Sequence, residues 1–487
     1  MRKLLLSLLL LVSTLAQAQK AEFNKAMEDG ILAIAEVRYN DLDNILSRER
    51  KTNPDNRVPD YLEAAAICIR AFFVEDEDWF NSQEGKLDLL FEKVEQLPDS
   101  EPYKRVFLAE MSLGRSGAFG KFKHNIKAAW GFYRAYNLLS DNLEEFPEFI
   151  PTLIPYGVLQ TAVGSLPSDY KSVASLFGFK GNIEEGLSMI RNGYYYSLAD
   201  PKLKFHQNYF GFVYAYVNYE LETEEQVSLY TLGMNVDASA FFIYLEAQQR
   251  LSAGDAEAAL NLMQKCPQGN AYLEIPFFNY YTGKVALMVN PEEAKKQFQL
   301  FLERSRDNEH RKSTYRYLAW YHLLKGEKAQ AETYRQKILT EAETLTGSDK
   351  QALDEAKRGF NTYLIKARLK FDAGRYSKVV EYLKPEQLNQ YCKKEWEKQE
   401  FHYRRARALQ ELGLRDQAIP EFLKALKYPQ PVTFSLANST LQVAILFEEK
   451  GNWTRSKQYY KAALALENYP FHEGVQQKAK AGLERLP

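Results

Sequence analysis

The sequence predicts an all-α chain whose helices pair into hairpins and stack one after another. Three observations carry this. Strand signals are nearly absent, with no alternating Val/Ile/Thr run bounded by tight-turn dipeptides. The second half repeats itself: an aromatic-rich segment centres on a small residue at Ala247, Gly283, Ala319, Ala367, Ala406 and Ala444. After each comes a turn-former, Gly254, Asn290, Gly326, Gly374, Gly413 or Gly451, suited to the left-handed conformation that ends a helix.

A second helix follows each turn, at 256–264, 292–302, 328–338, 376–383, 417–426 and 456–466, with apolar residues at helical spacing, as in Ala418, Phe422, Ala425 and Leu426. The longest interval, between Ala319 and Ala367, contains the polar stretch Thr346-Gly347-Ser348, read as a loop. The first half is helical but less regular. Hairpins are expected at 23–48, 61–97 and 102–143, divided by Pro54, Pro59, Pro98 and Pro102. This divides the chain into an N-terminal leader (1–18), an irregular hairpin region with an apolar central helix (19–235) and a repeat array (236–487).

The two-helix unit resembles the tetratricopeptide repeat, most closely at 400–430 (Ala406, Ala418, Phe422, Ala425) and 438–470 (Ala444, Phe447, Tyr460, Ala463). The resemblance implies a right-handed superhelix, an α-solenoid, with a concave side, because one unit alone cannot cover its apolar faces. The central region resembles the tetratricopeptide repeat protein 39 and inclusion body clearance protein family. The matching residues are Gly157, Ser165-Leu166-Pro167, Gly178-Phe179-Lys180-Gly181 and Gly186-Leu187, with Asn182 where the family tends to an acidic residue. Eukaryotic relatives are intracellular and linked to lipid handling or aggregate clearance. The leader departs from that pattern, so their cellular role does not transfer.

Met1-Arg2-Lys3, the apolar run from Leu4 and Ala16-Gln17-Ala18 together read as an export signal cut after Ala18. A bacterial periplasm is the expected compartment, because Cys68, Cys266 and Cys392 form neither a disulfide framework nor a metal-spaced pattern. Lys+Arg 63 against Asp+Glu 64 excludes a nucleic-acid binder that works by bulk charge.

Catalytic and metal signatures fail. The segment 114–122 lacks phosphate-loop spacing and is read as a helix–helix turn. The six histidines are scattered, and Glu75-Asp76-Glu77-Asp78 lacks calcium-loop spacing. No catalytic residue, cofactor or metal is expected. Some of the tyrosines and phenylalanines between 194 and 219 should pack inside, and others could line a groove.

The expected function is therefore a non-enzymatic scaffold binding a protein or peptide partner in its concave groove. Repeat register, as the resemblance implies, turns Arg316, Trp320, Arg368, Tyr403 and Arg407 toward that groove, where an arginine row would pair with an acidic partner. The alternative is a lipid- or membrane-surface adaptor using the uncharged stretch 149–168. Pro151, Pro155 and the lack of flanking cations favour instead a buried central helix.

Overall fold

Helices form by local rules that the sequence obeys throughout. In the computed structural model, which describes residues 19–166, 178–223, 225–306 and 309–487, there are 24 α-helices. Among the described residues there is no strand, only one isolated bridge between Lys20 and Asn56. The export signal expected at 1–18 lies outside the described residues. The chain divides into two compact units, Met1–Glu246 with Lys265–Ile275, and Ala247–Gln264 with Pro276–Pro487.

The first unit contains α1 (Lys25–Ala35), α2 (Tyr39–Thr52), α3 (Val58–Val74), α4 (Glu77–Glu95), α5 (Tyr103–Lys121), α6 (Asn125–Glu145), α7 (Leu153–Gly164), α8 (Ile183–Ala199) and α9 (Gln207–Glu220). The first six form the three hairpins expected from the prolines. The acidic cluster supplies ends rather than a cation site: Glu75 closes α3 in the left-handed conformation, and Asp76 caps α4 by accepting from the Trp79 N–H at 3.0 Å. Residues 114–121 are not a turn but the last two turns of α5. Gly114 and Gly117 sit within that helix, and the reversal comes at Phe122 to His124.

The uncharged stretch, described as far as Leu166, is mostly core, with Ala162 and Ser165 exposed; its Pro167 and Ser168 lie outside the described residues. Ile154, Tyr156, Leu159 and Val163 of α7 are buried, and so are Gln160 and Thr161 on its other faces. A helix apolar all round is covered on every side in a large helical protein. Its cover is α8, held at backbone distance: a Cβ added at Gly157 would stand 2.8 Å from the Gly186 carbonyl oxygen. The Gly178-Phe179-Lys180-Gly181 turn closes over the same core. Phe179 packs edge-on against Tyr136, ring centroids 5.0 Å apart, and the Tyr136 hydroxyl donates to the Lys180 carbonyl at 3.1 Å. No helix among the described residues is long and apolar enough to cross a membrane.

α10 (Ala240–Ser252) runs across the division in the chain. The second unit continues with α11 (Ala256–Met263), α12 (Pro276–Val289), α13 (Pro291–Arg304), α14 (Arg311–Leu324), α15 (Lys328–Thr340), α16 (Gly347–Arg358), α17 (Thr362–Asp372) and α18 (Tyr376–Tyr382). After these come α19 (Leu388–Tyr391), α20 (Glu395–Glu411), α21 (Arg415–Ala425), α22 (Phe434–Glu449), α23 (Trp453–Leu464) and α24 (His472–Arg485).

Ala247, Ala319, Ala367, Ala406 and Ala444 are fully buried, and Gly283 faces the Phe298 ring so closely that a Cβ would meet it at 2.7 Å. Phe298, Phe422 and Tyr460 of the second helices fill the space beside them, themselves fully buried. This is the packing the repeat pattern predicts.

Two details differ. Five of the six turn residues are left-handed glycines, but Asn290 is not. It caps α13 with an extended-side φ of −135°, because Pro291 disfavours a helical conformation in the residue before it. The long interval is not a loop around Thr346: Thr346 caps an additional helix, α16, through a reciprocal pair with Asp349. Ala352 and Ala356 of α16 pack with Tyr315 and Ile338.

Candidate functional site: a lysine- and tyrosine-lined groove

Arginines in a helix interior need charge partners, and the expected groove row has acquired them. Arg316, Trp320 and Tyr403 are buried, with 1%, 2% and 4% of their surface exposed. The Arg316 guanidinium donates to Gln351 Oε1 at 3.0 Å and lies 5.1 Å from the Trp320 ring centroid. Arg368 pairs with Glu355 at 2.8 Å and stands 3.7 Å from Asp372. Burial alone would lower its pKa, but Glu355 and Asp372 outweigh this and hold it above the ordinary arginine value. Arg407 pairs with Glu411 at 2.7 Å, and the Tyr403 hydroxyl accepts from Asn438 at 2.8 Å. Arg404 bonds Glu400 at 2.6 Å beside them. The row is thus a ladder of internally paired charges over aromatic rings. Trp320 and Arg368 border a cleft of only about 40 Å³.

Unpaired positive charge lies on another face of α17. Asn361 caps that helix, accepting from the N–H groups of Tyr363 (3.0 Å) and Leu364 (3.2 Å), and its amide donates to the Tyr391 carbonyl at 2.9 Å. This double use ties the start of α17 to α19. Three tyrosine rings are stacked as a result: Tyr363 on Tyr391 with centroids 4.2 Å apart, and Tyr363 on Tyr382 at 4.6 Å. The Tyr363 hydroxyl donates to the Tyr382 carbonyl at 2.6 Å, which locks the stack.

Around these rings opens a groove of about 890 Å³, lined by Lys366 and Lys370 of α17, Lys378 of α18 and Lys384 beyond it. Glu381 is the one carboxylate in the lining. Among the described residues none of the four lysines is ion-paired; Lys370 Nζ stands 5.7 Å over the Tyr382 ring. Four ammonium groups around a floor of stacked tyrosine rings suit carboxylates on an extended chain. The sequence carried a signal for this that the repeat register overlooked: Lys366 and Lys370 lie one turn apart with no carboxylate four residues before or after either.

Burial pushes the thiols of Cys68, Cys266 and Cys392 up to about 12, so each is a thiol at neutral pH. No group of three or more metal-ligating side chains occurs among the described residues.

The family model for Iml2/Tetratricopeptide repeat protein 39 matches residues 144–387. No curated protein matches the chain. Among solved structures, human IFIT1, crystallised as a dimer with PPP-AAAA, is 13% identical, covering 92% of this chain and 96% of that one, with a TM-score of 0.35. The P58(IPK) TPR domain is 12% identical over 82% and 92%, with a TM-score of 0.23. Cut9–Hcn1 of the APC/C is 12% identical over 94% and 89%, with a TM-score of 0.22. Likenesses of this depth imply nothing about ligand or partner.

Proposed function

This chain belongs to the Iml2/Tetratricopeptide repeat protein 39 family, and on that premise we propose that it is an exported, non-catalytic scaffold whose α17–α18 groove binds an acidic segment of a partner protein. Helical-repeat scaffolds of this kind generally serve protein–protein interaction. The observation that carries the reading is the set of four lysines, Lys366, Lys370, Lys378 and Lys384, without ion-pair partners among the described residues and gathered around stacked tyrosines. The arginine row keeps the first helices in place behind them. A preformed surface loses little entropy on binding, which suits a short extended ligand. The compartment, a bacterial periplasm, rests on residues 1–18, and mass analysis of the protein purified from whole cells of its native host should find a chain beginning at Gln19. An unprocessed N-terminus there would refute export.

The groove is tested with a labelled Asp/Glu-rich peptide and its Asn/Gln counterpart. The acidic peptide should bind, the neutral one at least about tenfold more weakly, and added salt should weaken the former. Lys366→Glu with Lys378→Glu should remove the preference while leaving the circular dichroism unchanged. Equal binding of the two peptides, or an unaltered preference in the double variant, would overturn the assignment.

A further inference from the structure

Protein interiors pack at the density of organic crystals, so a cavity among several helices of one unit asks for an explanation. One of about 420 Å³ lies among α1, α3, α5 and α9 of the first unit, also touched by the start of α10. Small residues are part of its lining: Ala35 of α1, Ala65 of α3, and Gly117 of α5, while Gly114 lets α5 close tightly on Cys68 of α3, where an added Cβ would stand 2.9 Å from the Cys68 Cβ. Its walls are apolar, with Ile34, Ile69, Phe73 and Val213 all half-buried. The volume falls in the range of roughly 300–1,000 Å³ that small-molecule sites occupy.

Polar chemistry is concentrated at one point. Glu110 accepts hydrogen bonds from two phenols, Tyr61 at 2.6 Å on Oε2 and Tyr209 at 2.9 Å on Oε1. Each carboxyl oxygen has a second acceptor position left over. Among the described residues no cation pairs with Glu110. The nearest imidazole in the lining, His206, is driven down to about 3 by burial and is therefore neutral, held at 3.2 Å from the Tyr103 hydroxyl and stacked on Phe210. Burial likewise lifts Glu110 above the usual carboxylate range, against the pull of its two phenol bonds.

We propose that this cavity binds a small apolar molecule with a single uncharged hydroxyl head, which donates to Glu110 while its hydrocarbon body lies against the α1, α3 and α9 walls. The site selects the head group. A carboxylate would meet the Glu110 carboxyl in a medium of low dielectric, and no lysine or arginine lines the space to receive it. A phosphate is excluded for the same reason. An ammonium could pair with Glu110, but it would give up its own hydration shell for a carboxyl that two phenols already engage and that burial disposes toward its neutral form. A hydroxyl fills the vacant acceptor position without burying a new charge.

The full chain, titrated calorimetrically with 1-decanol, decanoate and decylamine, tests this. Decanol should bind one-to-one, and decanoate at least about tenfold more weakly. Glu110→Gln, which is isosteric and can donate as well as accept, should reduce that discrimination to within about threefold. Val213→Phe should fill the cavity and abolish decanol binding with helix content unchanged. Decanoate binding as tightly as decanol, decylamine binding more tightly than either, or Glu110→Gln keeping the wild-type discrimination would each overturn the proposal.

Discussion

Arg368 lies over the ring of Trp320, its guanidinium carbon 4.9 Å from the ring centroid, while its Nη1 reaches Glu355 at 2.8 Å. The two residues belong to successive first helices of the repeat array. Their contact, continued by Arg316 on one side and Arg404 with Glu400 on the other, makes a charged spine where repeat proteins commonly present ligand-binding side chains.

Spine and groove should respond differently to substitution. Arg368→Ala leaves Glu355 without its closest partner in a part-buried setting and should cost about 3 kcal/mol in urea unfolding. Lys366→Ala removes an exposed cation outside any ion pair and should stay within about 0.5 kcal/mol of the parent. Equal effects would dissolve the distinction between scaffold and binding surface.

Acid should find the spine at Glu400. Burial works to raise its pKa, but Arg404 and Arg368, with a hydrogen bond from Ser435, bring it down to about 2. A carboxylate depressed on folding contributes stability above its unfolded value, and loses it as the pH falls toward the folded one. Glu400→Gln should therefore lower the melting temperature near neutrality. The gap from wild type should close as the pH falls from about 4.5 to about 2. A gap independent of pH would show that the charge is not what Glu400 contributes.

The α7–α8 contact has no space for a methyl group. At Gly186 a Cβ would stand 2.6 Å from the Gly157 carbonyl oxygen and 2.8 Å from the Thr161 nitrogen, both backbone atoms unable to yield alone. Gly186→Ala should destabilise by roughly 1–3 kcal/mol or more in thermal or denaturant melts. Gly85→Ala, in α4 with nothing within 4 Å of the added carbon, should stabilise by roughly 0.5–1 kcal/mol.

Thiol labelling reports on the same interior. Cys68 and Cys392 are buried, and their thiols stand near 12, so iodoacetamide at mildly alkaline pH should modify them only at the rate at which the chain opens. Cys266 is partly accessible and should react before either, though slowly. Rapid modification of all three in the folded state would contradict the burial described.

How much could be read in advance varied by element. The hairpins of the first half followed from prolines, and those of the second from small residues and glycines, since both signals act within a few residues of chain. α16 is harder to read because its apolar face is only Ala352, Leu353 and Ala356 in an otherwise polar twelve-residue segment; the capping pair Thr346 and Asp349 marks its start. Asn290 departs from the left-handed pattern because Pro291 restricts the residue before it. Around α17, repeat spacing located the helix but could not tell the ion-paired Arg368 from Lys366, which has no ion pair among the described residues. Glu355, which stands 3.6 Å from Arg316 and 2.8 Å from Arg368, comes from α16, and Asp372 of α17 adds a second acid to Arg368.

The sequence alone determined that this chain is helical, where most hairpins turn, and which small residues let helices meet, because these depend on backbone conformation and periodic burial. Only the tertiary structure decided where charge is spent and where space remains. Ion pairing over the first helices and the cavity at Glu110 join residues from three or more separate helices. No local rule fixes the distance between them.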